Sequence, residues 1–185
     1  MVRREETKAT ALVVSAICII ISAVQYVVLS RQQSAQLLQH VGIMSGCTIL
    51  ARLVYSFFHA GIIHCLVNCW CLLSVVFIYS LPLSRLLIAY TVAVIYPFAT
   101  ATPTVGLSAV CFCLLGQVSW LTRRRLFFHL WIAGFIALTY IIPSISLHYG
   151  ITMAIPDNTL HIYSYVVGLM VGFLFSPAPW QQRQR

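Results

Sequence analysis

Six apolar runs separated by short polar or turn-rich stretches set the pattern of this chain: residues 9–29, 59–80, 85–101, 105–121, 126–143 and 157–176. All six fall within the roughly 17 to 25 residues that a helix needs to cross about 30 Å of hydrocarbon at 1.5 Å per residue. The pattern predicts an all-α polytopic membrane protein, a bundle of six transmembrane helices. Only Thr102-Pro103-Thr104 separates the third run from the fourth. The fourth span is therefore expected to begin below the membrane surface, inside the bundle, where irregular backbone is tolerated away from lipid.

Two connecting segments stand out. Segment 30–58 carries Leu37, Leu38, Ile43, Met44, Ile49, Leu50, Leu53, Val54, Phe57 and Phe58, too many apolar residues for a free aqueous loop. It is expected to lie in the outer leaflet as a partly embedded, partly helical hairpin. Segment 144–156, flanked by Pro143 and containing Gly150 and Pro156, is expected to be an irregular loop. The polar ends are limited to Met1–Ala9 and Ser176–Arg185, so a single membrane domain over 1–185, with its core at about 9–176, accounts for the chain. Any chemistry has to sit within that domain. The first run follows Arg3, Arg4 and Lys8 and imitates a signal peptide, but it exceeds the usual 7 to 15 residue signal core and is expected to be retained.

Composition agrees with the pattern. The chain is 61% hydrophobic and 8% charged, where soluble domains carry about 25% charged residues. The net charge of +8 does not point to nucleic acid, because the arginines are scattered among apolar segments and form no single basic, aromatic-laced surface. The basic residues instead predict orientation, since cytoplasmic loops retain Lys and Arg. With both termini in the cytoplasm, that side holds Arg3, Arg4, Lys8, Arg85, Arg123, Arg124, Arg125, Arg183 and Arg185, against only Arg31 and Arg52 outside. The seven cysteines lie almost entirely in apolar runs and are expected to act as small hydrophobes without a disulfide framework.

Polar side chains in hydrocarbon are costly and mark function by default. The candidates are His59, His64 and Asn68 at the outer end of span two, Ser108 at the outer end of span four, and His161 at the outer end of span six. The predicted topology puts all five at one depth on one side. His64 and Asn68, spaced i, i+4, share a helix face and offer two donors to one oxygen. Serine needs an adjacent base, and His161 is the candidate to serve Ser108. Gly106, Gly116, Ser164, Gly168 and Gly172 would form a thin seam that lets spans four and six approach closely, and Phe112, one turn below Ser108, could stack on the imidazole. Asp157 stands four residues before His161 and suits a helix N-cap, leaving a two-residue Ser/His mechanism. No cofactor is expected. No metal is expected either, since the chain has no His-Glu-x-x-His and only three acids.

The fragments His59-Ala60-Gly61-Ile62-Ile63-His64-Cys65-Leu66-Val67-Asn68, Gly106-Leu107-Ser108-Ala109 with Leu114-Leu115-Gly116, and His161 with Gly168 and Gly172 resemble, in this order, the rhomboid intramembrane serine proteases. The resemblance covers about residues 51 to 175. It implies a six-helix rhomboid core in which Ser108 is the nucleophile and His161 the general base. His64 and Asn68, with the Ser108 backbone N–H, would support the oxyanion, and His59 would be the first histidine of the second-span motif. The implied partners are transmembrane helices of substrate proteins within the bilayer, and the implied alternative is a silent relative that binds such helices without cutting them. The chain departs from the family pattern at Ala51-Arg52, where Trp-Arg is frequent, and at Ala109, Leu160 and Ser164, where smaller residues are common.

Overall fold

The computed structural model describes residues 2–98, 101–148 and 157–175. Among these residues the fold is all helical, with eight α-helices and no strand: α1 (Val2–Val28), α2 (Arg31–Val41), α3 (Ile49–Val54), α4 (Ile62–Tyr79), α5 (Leu83–Val94), α6 (Ser108–Ser119), α7 (Arg125–His148) and α8 (Asn158–Leu174). A 3₁₀ turn over Tyr55–Phe57 follows α3 directly. The helices α1 and α4 are long and apolar enough to cross a membrane; α5, α6 and α8 are shorter apolar helices. Large apolar side chains such as Ile20, Val27, Trp70, Leu126, Phe127 and Phe173 point outward. A surface of this kind fits hydrocarbon surroundings and is foreign to water.

Helix α6 lies at the centre. Every one of its residues is buried except Leu115, which is partly covered. It packs most closely on α8 and also on α4 and α5, while α1 lies against α4 and α7 touches α8 and α6 more lightly. Twelve residues make a helix of only about 18 Å, too short to cross the hydrocarbon, and this is tolerable because protein, not lipid, surrounds it.

Helix α5 ends much earlier than the apolar run suggests. Its cap is Ile95, and the described residues from there to Leu107 are not helical. Pro97 and Pro103 disfavour helix in the residues before them and lack an N–H, and Gly106 takes φ +119, open chiefly to glycine. The freed backbone groups find partners across the fold. Ile43 and Thr104 exchange both N–H···O bonds at 2.9 Å, and Gly106 N–H donates to the Tyr55 carbonyl at 3.1 Å. At Thr104 and Gly106 the irregular backbone is therefore hydrogen-bonded to distant segments, as buried backbone requires.

Segment 30–58 contains α2, α3 and the 3₁₀ turn. Ser30 and Gln33 form a reciprocal capping box at the start of α2, and no α2 residue is buried. Four bonds staple α3 and its turn onto the end of α5. Arg52 donates to the Tyr96 carbonyl at 2.7 Å and the Val94 carbonyl at 3.4 Å, Tyr55 Oη donates to the Ala93 carbonyl at 3.1 Å, and Tyr90 Oη donates to the Leu53 carbonyl. Burial pushes the Tyr55 phenol up, so it stays a neutral donor.

At the other end of the chain, α7 runs through Pro143 to His148, where the sequence predicts a loop from 144. A proline removes one backbone bond, and helices in apolar surroundings accommodate that loss more readily than they break off. The rest of the predicted loop, 149–156 with Gly150 and Pro156, lies outside the described residues. The cysteines are free thiols among the described residues, with Cys18, Cys65 and Cys69 packed between α1 and α4.

Candidate active site

Ser108 is the first residue of α6, and α6 carries no side-chain cap. The first N–H groups of a helix have no partner within it, and its dipole adds partial positive charge at that end. The start of α6 is thus a donor-rich position facing whatever the Ser108 hydroxyl meets.

His161 lies one turn into α8, and its Nε2 sits 3.1 Å from Ser108 Oγ. Ser108 and His161 are each 7% exposed, so the pair is almost wholly enclosed. Phe112, one turn after Ser108, stacks on the imidazole with centroids 4.5 Å apart and planes 23° from parallel. This contact fixes the ring plane without competing for either nitrogen. His161 Nδ1 is buried and has no hydrogen-bond partner among the described residues.

The close approach of α6 and α8 follows from their small residues. A Cβ on Gly168 would collide with the Cys113 carbonyl, and one on Gly116 with the Tyr165 carbonyl. On Gly172 it would come within 2.6 Å of the Gln117 carbonyl. Ser164 is fully buried on the same face. Backbone therefore meets backbone along the seam.

Gly106 does not belong to that seam. Its Cβ position is 2.8 Å from His64 Cε1, 3.1 Å from His64 Nε2 and 3.3 Å from Asn68 Nδ2. With no side chain there, the donors of α4 reach the backbone just ahead of Ser108. The Asn68 side chain is buried and its Nδ2 has no partner among the described residues. A buried amide donor left free is costly unless something external takes its bond.

His59 is fully enclosed, its Nε2 accepts the Leu107 N–H at 3.3 Å, and its ring stands edge-on to His64 with centroids 5.2 Å apart. Acceptance at Nε2 leaves the ring proton on Nδ1. His59 thus holds the backbone immediately before Ser108 and supports the His64 ring.

Asp157 caps α8, its Oδ1 accepting the Leu160 N–H at 3.0 Å, while its Oδ2 accepts from Thr104 Oγ1 at 3.1 Å. Neither oxygen is directed to His161. The five polar residues singled out from the sequence, His59, His64, Asn68, Ser108 and His161, thus come together with Gly106 and Phe112, and Gly168 lies below them in the seam. Sequence patterning did not point to Tyr55, which holds the Gly106 N–H, or to Thr104. The available signal was indirect: a polar hydroxyl residue beside Pro103 in an otherwise apolar stretch has to place its donor somewhere. Among the described residues no group of His, Cys, Asp and Glu side chains is arranged to hold a metal ion.

No curated protein and no solved structure matches the chain. The family model of the Rhomboid domain matches residues 46–178, which takes in every residue of the site, from the α3 staple through the seam. The all-helical fold with outward apolar surfaces and this match, over most of the chain's length, make it an integral membrane protein that belongs to the rhomboid family.

Proposed function

We propose that this protein is an intramembrane serine endopeptidase that cleaves transmembrane segments of other membrane proteins with a Ser108/His161 dyad. The observation that carries the proposal is the 3.1 Å contact between the Ser108 hydroxyl and His161 Nε2. That is hydrogen-bond reach for proton transfer. The bilayer placement that accompanies it is one membrane domain whose six spans are built on α1, α4, α5, α6, α7 and α8. Both termini are cytoplasmic, segment 30–58 is partly embedded in the outer leaflet, and the recess opens outward. The arginine distribution supports that orientation.

The steps follow from the geometry. A substrate segment unwinds near a helix-breaking residue and presents its amide carbonyl to Ser108. Ser108 Oγ attacks the carbonyl carbon as its proton passes to His161 Nε2. Negative charge develops on the carbonyl oxygen, and the Asn68 amide, His64 and the Ser108 backbone N–H are the donors in place to receive it. The C–N bond breaks, and the imidazolium gives its proton to the leaving amine. Water then attacks the acyl-enzyme, losing a proton to His161, and the new acid departs as the proton returns to Ser108. Among the described residues Nδ1 of His161 is unpartnered and Asp157 is engaged elsewhere, so Phe112 and the seam are what orient the ring.

The alternative is a silent relative that only binds helices, whose mark would be a Ser108 to His161 separation too long for proton transfer; the 3.1 Å separation supports the protease reading. The test is cleavage of a transmembrane substrate bearing a helix-destabilising site by purified protein, alongside Ser108→Ala. The variant is expected to lose at least about a thousandfold in rate. Equal cleavage by both proteins would overturn the assignment.

A further inference from the structure

The backbone contacts of the seam lie C-terminal to His161 on α8, from the Tyr165 carbonyl against Gly116 down to Gly172. Gly168 and Gly172 press on α6 two and three turns below His161, whereas His161 itself sits in the first turn of its helix. End turns fray unless something outside the helix restrains them. Besides the Thr139 to Asn158 bond from α7 at 3.0 Å, the contacts that restrain this end run to Thr104, in the irregular segment that leads into α6.

The backbone of Thr104 is fixed by its two 2.9 Å bonds with Ile43. Its hydroxyl donates to Asp157 Oδ2 at 3.1 Å. The other carboxylate oxygen holds the Leu160 N–H at 3.0 Å, and the Asp157 carbonyl accepts the His161 N–H at 3.2 Å. The path from the nucleophile's leading segment to the base's own backbone is therefore continuous: Thr104, Asp157, His161. Hydroxyl to carboxylate is the stronger kind of hydrogen bond, and this one is partly buried.

We infer that Thr104 and Asp157 are a positioning pair that holds the first turn of α8 against the approach to α6 and so sets the distance between His161 Nε2 and Ser108 Oγ. The inference rests on the proposed reading of Ser108 and His161 as the reacting groups. It differs from a triad, since Asp157 acts on the backbone of α8 and not on the imidazole. It also gives the Thr102-Pro103-Thr104 stretch a task beyond connection: Pro103 keeps Thr104 out of a helix, which leaves its backbone free to pair with Ile43 and its hydroxyl free for Asp157.

Thr104→Val removes the hydroxyl and keeps the shape, and Thr104→Ser restores it. In proteoliposomes with a transmembrane substrate, Thr104→Val is expected to lower kcat about tenfold with little change in KM, the size of one lost bond to a charged acceptor. Thr104→Ser is expected to recover most of that loss. Hydrogen exchange at the Leu160 and His161 amides is expected to quicken in Thr104→Val and return to the native rate in Thr104→Ser. If Thr104→Val keeps native kcat and native exchange, or if Thr104→Ser is as impaired as Thr104→Val, the pair is not a tether. Should the native protein show no Ser108-dependent cleavage, the protease reading falls, while the exchange comparison still decides whether the tether exists.

Discussion

Helix α8 meets α6 and α7 in opposite ways. Toward α6 it presents Ser164, Gly168 and Gly172, and the backbones touch, with Trp120 Nε1 reaching across to the Leu169 carbonyl at 2.8 Å. Toward α7 it presents side chains. His129 Nδ1 and Tyr165 Oη lie 2.6 Å apart, Thr139 Oγ1 donates to Asn158 Oδ1 at 3.0 Å, and much of the apolar surface of α7 faces outward. The difference teaches where precision is needed. In the proposed mechanism the reacting atoms of Ser108 and His161 face each other across α6 and α8, and backbone contact leaves few rotatable bonds between them. Across α7 nothing reacts, and because lipid chains are as apolar as leucine, leaving α7 loosely packed forfeits little.

The sharpest way to break this contrast is Gly168→Val. The new side chain collides with the Cys113 carbonyl, and no rotamer change relieves a clash against backbone. The variant is expected to lose detectable cleavage and about 3 kcal/mol or more of stability, read by activity and by unfolding in detergent. If it cleaves at the native rate, backbone contact is not what spaces Ser108 from His161. Next in size is Asn68→Ala. Because Asn68 Nδ2 has no partner among the described residues, its loss should leave stability nearly intact while kcat falls roughly a hundred- to a thousandfold. A matched fall in stability and kcat would instead make Asn68 a structural residue.

Those two sites also show how far the sequence could be read. The α6 to α8 seam was visible because small residues recur at helical spacing, and Phe112 over His161 because one turn separates Phe112 from Ser108. Both are local regularities carried by a single helix. The assignment of Gly106 to the seam was wrong for the complementary reason: it lies outside α6, and its φ of +119 turns it toward His64 and Asn68 on α4. Likewise the early end of α5 was hidden, because residues 95–101 are apolar enough to continue a span. What stops the helix is proline together with backbone bonds to Ile43 and Tyr55, partners far away in sequence. The Asp157 cap was legible, being local; its second bond to Thr104 was not.

The smallest expected effects lie on the α7 side, and they bear most directly on the contrast. Tyr165→Phe removes the partner of His129, and Thr139→Val removes the donor to Asn158, each without changing the shape of the interface. Hydrogen bonds between membrane helices are worth about 0.6 kcal/mol on average, because the separated helices find other partners. Each variant is therefore expected to lose about that much stability, and the pair together still less than Gly168→Val alone. Cleavage should stay within about threefold of native for either single change, measured on the same proteoliposome substrate. If the double variant unfolds as easily as Gly168→Val, the two polar bonds are the principal attachment of α7, and the division into a backbone-locked side and a lipid-supported side of α8 no longer holds.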